Sequence, residues 1–307
     1  MSKILGKVDI SIIIVNWNAG ILLKNCIESI ILNTKGVFYE VIVVDNASTK
    51  ESLKCIEEFL NFDFIKFYLL DQNVGFSKAN NIGVHNSRGK YLLFLNPDTL
   101  LVDNMVMKLL ESYLELTQTH QVGILVPQLL NEDSTIQFSA QDFPIVTLKK
   151  ITKYIYKKVT KSNRKNILRN TEWARGACFF IPRFLGNSYG FWNEHFILYG
   201  EDLELCYRYK RQGYLTIINP KIGLVHYYNQ SGKRRFDTYQ SLIRKEEGLH
   251  LFYNIYLGKF RFLIFEVFML VKGIVDILKS KDYNRFKLSK EFIKRTFRSK
   301  YYSGISE

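Results

Sequence analysis

Residues 9–48 read DISIIIVNWNAGILLKNCIESIILNTKGVFYEVIVVDNAS, and the fold is decided in them. The run 9–15 is β-branched and apolar with almost no polar alternation, as expected of a strand buried on both faces. Residues 21–32 carry apolar side chains at helical spacing, and 40–44 form a second short apolar run. The same rhythm continues. Residues 48–60 read as a helix capped by Ser48 or Thr49, 64–70 as a strand, 77–86 as a helix, 91–95 as a strand, 102–116 as a helix and 122–126 as a fifth strand. Short apolar strands separated by helices predict a mostly parallel sheet flanked by helices. In such sheets ligands bind beyond the carboxyl ends of the strands.

After residue 126 the alternation breaks. Short strands are expected within 127–142, and a basic insertion of weak helical character over 145–171. A strand over 174–182, a helix over 201–212 and a last strand over 214–219 follow. From residue 238 the chain reads as helix to its end, with Gly248, Gly258, Gly273 and Ser280 as candidate breaks. The expected class is α/β with a C-terminal helical extension, residues 1–237 forming one domain and 238–307 a basic amphipathic region.

With 307 residues, 47% hydrophobic and 15% aromatic, the chain can bury a sizeable core and is not a disordered polymer. Cys26, Cys55, Cys178 and Cys206 form no CxxC pair. That argues against a zinc site or a disulfide framework and suits a reducing compartment. The opening MSKILGKVDI is too short and polar for a signal peptide before the first strand. The net charge of +14 is uneven: residues 145–171 hold nine Lys/Arg and no acid, and residues 231–300 hold seventeen Lys/Arg against seven Asp/Glu. The remainder is net acidic. Two basic segments of this kind suit nucleic acid, an anionic membrane or an anionic lipid-linked substrate, or form a solvated face. Residues 260–278, FRFLIFEVFMLVKGIVDIL, are strongly apolar, but their longest uncharged run is five residues, far short of a membrane span. An interfacial helix and a helix packed on the core are the two readings.

Four polar or acidic runs follow strand-like stretches. Asp45 ends EVIVVD, where a carboxylate can accept from a ribose hydroxyl or a pyrimidine N–H, or cap the helix that follows. Asn73-Val-Gly75-Phe76 follows the third strand; Gly75 permits a tight turn into a helix whose N-terminus favours anions. Asn96-Pro-Asp98-Thr follows YLLFL, and a strand-end carboxylate suits a hard divalent ion shared with phosphates. Glu201-Asp202 opens a helix, where the two acids must point in different directions. His226 follows the last expected strand. Each run alone also has an ordinary reading as a turn, a cap or a structural histidine.

Taken in order, these runs resemble glycosyltransferase family 2, with its Rossmann-like GT-A fold. The matching stretches are SIIIVNWNAG (11–20), VVDNAS (43–48), NVGFSKANNIG (73–83), FLNPDT (94–99), RGACFFIPR (175–183), FILYGEDLELCYRYKRQG (196–213) and His226. The rhamnosyltransferase-like branch is the most similar. The resemblance implies a donor pocket built by Asn16, Asp45, Asn73, Gly75, Phe76, Asn80 and Asn96. It implies Mg2+ or Mn2+ held by Asp98 and His226, Asp202 as general base supported by Glu201, and Arg175 and Gly176 near the sugar or acceptor. The implied reaction is inverting transfer of one sugar, best matched by dTDP-rhamnose, from a nucleotide-sugar donor to a lipid-linked or cell-surface glycan. The implied place is the cytoplasmic face of the membrane; nucleic acid is not expected as a partner. UDP-hexose, UDP-N-acetylhexosamine and UDP-galactofuranose donors are alternatives, as is a non-catalytic binding protein. Two departures stand out. Asn96 occupies the first acidic position of the family's DxD-like triplet, and 240–244, QSLIR, lacks the QxxRW signature of processive synthases, which favours a single transfer.

Overall fold

The computed structural model describes residues 8–145, 168–227 and 238–280. By internal packing they divide into two units, one of residues 8–143 and 168–241, the other of residues 144–145 and 242–280.

The first unit opens with β1 (Ile10–Asn16), α1 (Ile21–Asn33) and β2 (Tyr39–Asp45). A four-residue α2 (Lys50–Leu53), β3 (Ile65–Leu69), α3 (Phe76–His85) and β4 (Tyr91–Leu95) come next. β5 (Thr99–Leu101), α4 (Met105–Leu116) and β6 (Val122–Leu130) follow. Then come three short strands, β7 (Ala140–Gln141), β8 (Arg169–Thr171) and β9 (Trp173–Ala174). β10 (Cys178–Pro182), α5 (Arg183–Tyr189), α6 (Glu201–Arg211) and β11 (Leu215–His226) complete the unit. Among the described residues nine strands join in one sheet, ordered β3-β2-β1-β4-β10-β6-β11-β5, with β8 also on β11. β3, β2, β1 and β4 are mutually parallel, as are β6 and β11. β10 runs antiparallel between β4 and β6. Two reversals restore the direction, so the carboxyl ends of β1, β2, β4, β6 and β11 all lie along one edge.

Both faces of the sheet are covered. Ile10, Ile12 and Ile14 join Leu23, Cys26, Ile27 and Ile30 of α1 in one core layer, which also takes Val106 and Leu109 of α4. The α1 residues fall at the spacing that puts them on one helical face. On the opposite face Ile13 lies against Gly83 of α3. This double burial is why β1 reads as continuous apolar sequence.

Several expected boundaries move. The helix over 48–60 is four α-helical residues capped by Thr49, whose hydroxyl accepts from the Ser52 N–H, followed by a 3-10 segment, Lys54–Phe59. The helix over 102–116 begins at Met105, because Asp103 and Asn104 sit in the left-handed region, with φ of 54° and 52°. β5 fills part of the gap and pairs with the end of β11. The strand over 174–182 is interrupted at 175–177. The strand over 214–219 continues to His226: an irregularity between Asn219 and Gly223 absorbs Pro220, and pairing with β6 then resumes. His226 is therefore the last residue of that strand and does not follow it.

The second unit holds most of α7 (Thr238–Tyr256) and all of α8 (Lys259–Ser280). Gly258, at φ 81°, separates them; Gly248 and Gly273 lie within helices and break nothing. Tyr253 of α7 meets Phe262 and Phe265 of α8, and Phe252 packs on Tyr253, in a buried aromatic cluster. The residues of α8 that stay exposed include Phe260, Ile264, Val267 and Val271, one stripe at helical spacing. The expected basic insertion, for residues 146–167, and the chain past Ser280 lie outside the described residues.

Candidate active site

The carboxyl edge of the sheet collects the residues singled out in the sequence. Asn16 and Asp45 end β1 and β2 in register with each other. The Asn16 amide donates to Asp45 Oδ1 at 2.6 Å, and Ser48 donates its hydroxyl to the same oxygen at 2.6 Å and its N–H to Oδ2 at 2.9 Å. Asp45 is thus fixed at the strand end by a side chain from the neighbouring strand and by the turn that follows. Asn16 acts on Asp45, and Ser48 is a third member that the sequence did not distinguish. Asn46 was also missed. Its side chain donates to Asn73 Oδ1 and to the Gly75 carbonyl, and its Oδ1 accepts from the Val74 N–H at 2.8 Å. It therefore ties the ends of β2 and β3 to the start of α3. Its only signal in the sequence is adjacency to a strand-end acid.

Residues 73–83 turn inward. Gly75 has φ 89°, and an added Cβ would stand 3.1 Å from the Ile197 carbonyl oxygen. Phe76 donates its N–H to that carbonyl, Ser77 donates to the Phe196 carbonyl, and the Phe76 ring meets Trp192 edge-on at 5.5 Å. Asn80 is buried and donates to Phe76 within its own helix. Phe76 and Ser77, with Asn81, whose amide donates to the Trp192 carbonyl and accepts from the Trp192 N–H, hold the 191–197 segment against α3. Trp192 also packs on Phe94 and Phe179, so this segment is anchored to the sheet itself.

That anchoring carries the chain into the acidic pair. Tyr199 and Gly200 both have positive φ, 70° and 95°, and Glu201 begins α6 immediately after. A left-handed tyrosine is uncommon and marks a locally constrained turn. Asp202 Oδ2 accepts from the Gly176 N–H at 3.2 Å and Oδ1 from the Leu203 N–H at 2.8 Å. Ala177, next to Gly176, accepts from the Asn96 N–H at 2.9 Å. The interruption between β9 and β10 therefore joins the NPD turn to the acidic pair. Burial pushes both carboxyls up. For Glu201 the nearby Asp202 charge adds to the shift; for Asp202 the backbone donors of Leu203 and Gly176 and the Arg175 charge oppose it. Asp202, with those donors, is accordingly the more readily ionised of the two and Glu201 the harder to ionise.

Asp98 and His226 meet across β5 and β11. Both are buried, with His226 Nε2 3.5 Å from Asp98 Oδ1. The Tyr227 N–H donates to the Asp98 carbonyl, so the two segments are also joined through backbone. On its other side His226 Nδ1 stands 2.7 Å from Oε1 of Gln137. Among the described residues no three His, Cys, Asp or Glu side chains cluster as a metal site. The Asp98 carboxylate, an oxygen donor of the kind Mg2+ and Mn2+ take, and the His226 imidazole facing it would be the protein ligands of a divalent ion shared with donor phosphates.

The glycosyl transferase family 2 model matches residues 11–189, more than half of the chain. The chain belongs to glycosyl transferase family 2. That match ends before Glu201, Asp202 and His226. Within the family the chain is similar to the low-salt glycan biosynthesis hexosyltransferase Agl10 of Haloferax volcanii, 30% identical over 66% of this chain and 62% of that protein. It is similar to the O-antigen biosynthesis protein RfbC of Myxococcus xanthus, 26% identical over 76% of this chain and 18% of that protein. Rhamnosyltransferase WbbL of Escherichia coli is 24% identical over 73% of this chain and 86% of that protein. The chain thus spans less than two thirds of the length of the first two. A crystal structure of GalNAc-T7 with UDP, GalNAc and Mn2+ superposes with a TM-score of 0.61 at 20% identity, covering 97% of this chain and 58% of that one. The fold is the GT-A fold expected from the sequence.

Proposed function

We propose that the protein transfers a single sugar, with inversion, from a nucleoside-diphosphate donor to a hydroxyl of a lipid-linked or cell-surface glycan. The observation that carries this reading is the placement of Asp202. Its carboxylate is held by the Gly176 N–H, one residue from the Ala177 carbonyl that accepts from Asn96. In this reading Asp202 takes the proton from the acceptor hydroxyl, and that oxygen bonds to the anomeric carbon. The bond from the anomeric carbon to the diphosphate breaks, and its electron pair leaves with the nucleoside diphosphate. Asp98 and His226 would hold Mg2+ or Mn2+, which supplies Lewis-acid stabilisation of the leaving diphosphate. Asp45, fixed by Asn16 and Ser48, faces the base or ribose. In this reading residues 1–237 are the catalytic domain and residues 238–307 a basic C-terminal region.

The donor is proposed to be dTDP-rhamnose, supported by the likeness to a rhamnosyltransferase and to an O-antigen biosynthesis protein. The neighbour crystallised with UDP favours a second reading, a UDP-linked donor. Isothermal titration of a panel of nucleotide sugars, each with and without Mn2+, separates them. Tightest Mn2+-dependent binding of dTDP-rhamnose supports the first, and preference for a UDP-sugar replaces it. Binding of none, together with no donor hydrolysis, rejects the enzyme reading.

Among the described residues no helix is long and apolar enough to cross a membrane. The stripe Phe260, Ile264, Val267 and Val271, beside exposed Lys259 and Arg261, supports a peripheral position on an anionic bilayer. In this reading the enzyme works at the cytoplasmic face, where it meets a lipid-linked acceptor.

A further inference from the structure

We infer that Gln137 is a positioning residue that holds His226 as its Nδ1–H tautomer, so that the Nε2 lone pair is presented to Asp98. The role this gives His226 as a ligand rests on the metal reading proposed above.

The inference follows from donors and acceptors alone. Gln137 is buried on the return from β6, where its N–H donates to the Leu129 carbonyl. Its amide nitrogen stands 3.2 Å from the backbone carbonyl of His226 and 3.0 Å from Asn131 Oδ1. A backbone carbonyl only accepts, so the NH2 side of the amide must face it, and the amide cannot be turned over. Oε1 is then the atom facing His226 Nδ1 at 2.7 Å, and it too only accepts. The proton must therefore be on Nδ1. In the neutral ring Nε2 carries the lone pair, and it is Nε2 that stands 3.5 Å from Asp98 Oδ1. Two electron-rich atoms are brought face to face in a buried place, an arrangement that suits a cation between them. Partners that fix a ligating histidine in this manner commonly change metal affinity by about ten- to a hundredfold.

The test uses full-length protein labelled with 15N-histidine, free of metal, at pH 8. The chain has five histidines, and the His226 signals are those absent from His226→Asn. Long-range 1H–15N correlation spectra should show the Nδ1–H pattern for His226 in the wild type. Gln137→Met, close in volume but without an acceptor, should lose it. Gln137→Glu should keep it, because a carboxylate still accepts from Nδ1. That second variant forfeits donation to Asn131 and to the His226 carbonyl, so a merely structural role predicts that it behaves like Gln137→Met. Titration with UDP and with dTDP, each with and without Mn2+, should show the Mn2+-dependent gain in affinity reduced about tenfold or more in Gln137→Met. Metal-free affinity should be unchanged. An Nε2–H tautomer in the wild type overturns the inference, as does an unchanged tautomer and Mn2+ response in Gln137→Met. Wild type that shows the Nδ1–H pattern but no Mn2+ effect on nucleotide affinity removes the metal reading and leaves the tautomer assignment standing.

Discussion

Asp202 is half-buried beside a buried glutamate, and burial lifts its pKa above the ordinary carboxylate range. A base must be ionised to take a proton, so turnover is expected to fall as pH drops through this raised value, well before an exposed carboxylate would protonate. Asp202→Asn should lower turnover by roughly a hundredfold or more and leave nucleotide affinity in place. The check is a pH–rate profile of the wild type beside single-turnover rates of the variant; near-normal turnover would move the base elsewhere. Gly176 offers a subtler probe. A Cβ there would lie 3.2 Å from the Asp202 Cβ and 3.9 Å from Oδ2, so the carboxylate must give way by a few tenths of an ångström. Gly176→Ala is expected to cost about tenfold in kcat, since sub-ångström misplacement of a catalytic group is felt in the barrier, with thermal stability nearly unchanged. An unaltered kcat would separate Gly176 from the positioning of Asp202. The acids at these positions were legible because each follows a strand or opens a helix. Gln137 and Asn46 were not, because a buried amide that holds another residue looks in sequence like any polar residue in a loop.

At the level of elements, the helices and strands with strong periodicity matched their reading, and the departures arose where backbone conformation overrides pattern. Asp103 and Asn104 delay α4 through left-handed φ, and Pro220 is absorbed within β11 where a strand end was expected. The pairing of α7 with α8 carries a consequence of its own. Charges at 259, 261, 266, 272, 276 and 279 fall by helical spacing on one half of α8, yet Glu266 is buried. Burial pushes its carboxyl up to about 8, and Glu246 adds to the shift. A carboxyl with a folded pKa above its unfolded value of 4.5 stabilises the fold most below 4.5. That contribution is lost as pH rises through about 8. Stability of the α7–α8 unit is therefore expected to decline between pH 5 and pH 8. Glu266→Gln should flatten that decline, as read from hydrogen exchange of α7 and α8 amides at the two pH values after correction for intrinsic rates. A decline of equal size in the variant would assign the pH dependence to other groups.

For the whole molecule the decisive quantity is the distribution of charge: +14 overall, concentrated in residues 145–171 and 231–300. Each basic residue near an anionic leaflet contributes about 1 kcal/mol, and salt screens it within a Debye length. The apolar stripe of α8 would add insertion that salt does not remove. Co-sedimentation with vesicles is therefore expected to rise with anionic lipid and to fall only partly at high salt. Equal recovery on neutral and anionic vesicles would reject the electrostatic part. A Val267→Asp variant that folds normally yet stays bound at high salt would reject the apolar part. The sequence by itself determined the alternation of strand and helix, because strands buried on both faces must be apolar throughout and helices covering them must be apolar at every third or fourth residue. It also determined that acids would stand at strand ends, because pattern and register place them there. The tertiary structure alone decided which of those residues meet. Asp98 reaches His226 because β5 returns antiparallel against the end of β11, and Asp202 reaches Gly176 because β10 runs backwards between β4 and β6. Contacts between residues 26 and 128 positions apart depend on the direction and order of strands, which no local pattern of hydrophobicity encodes.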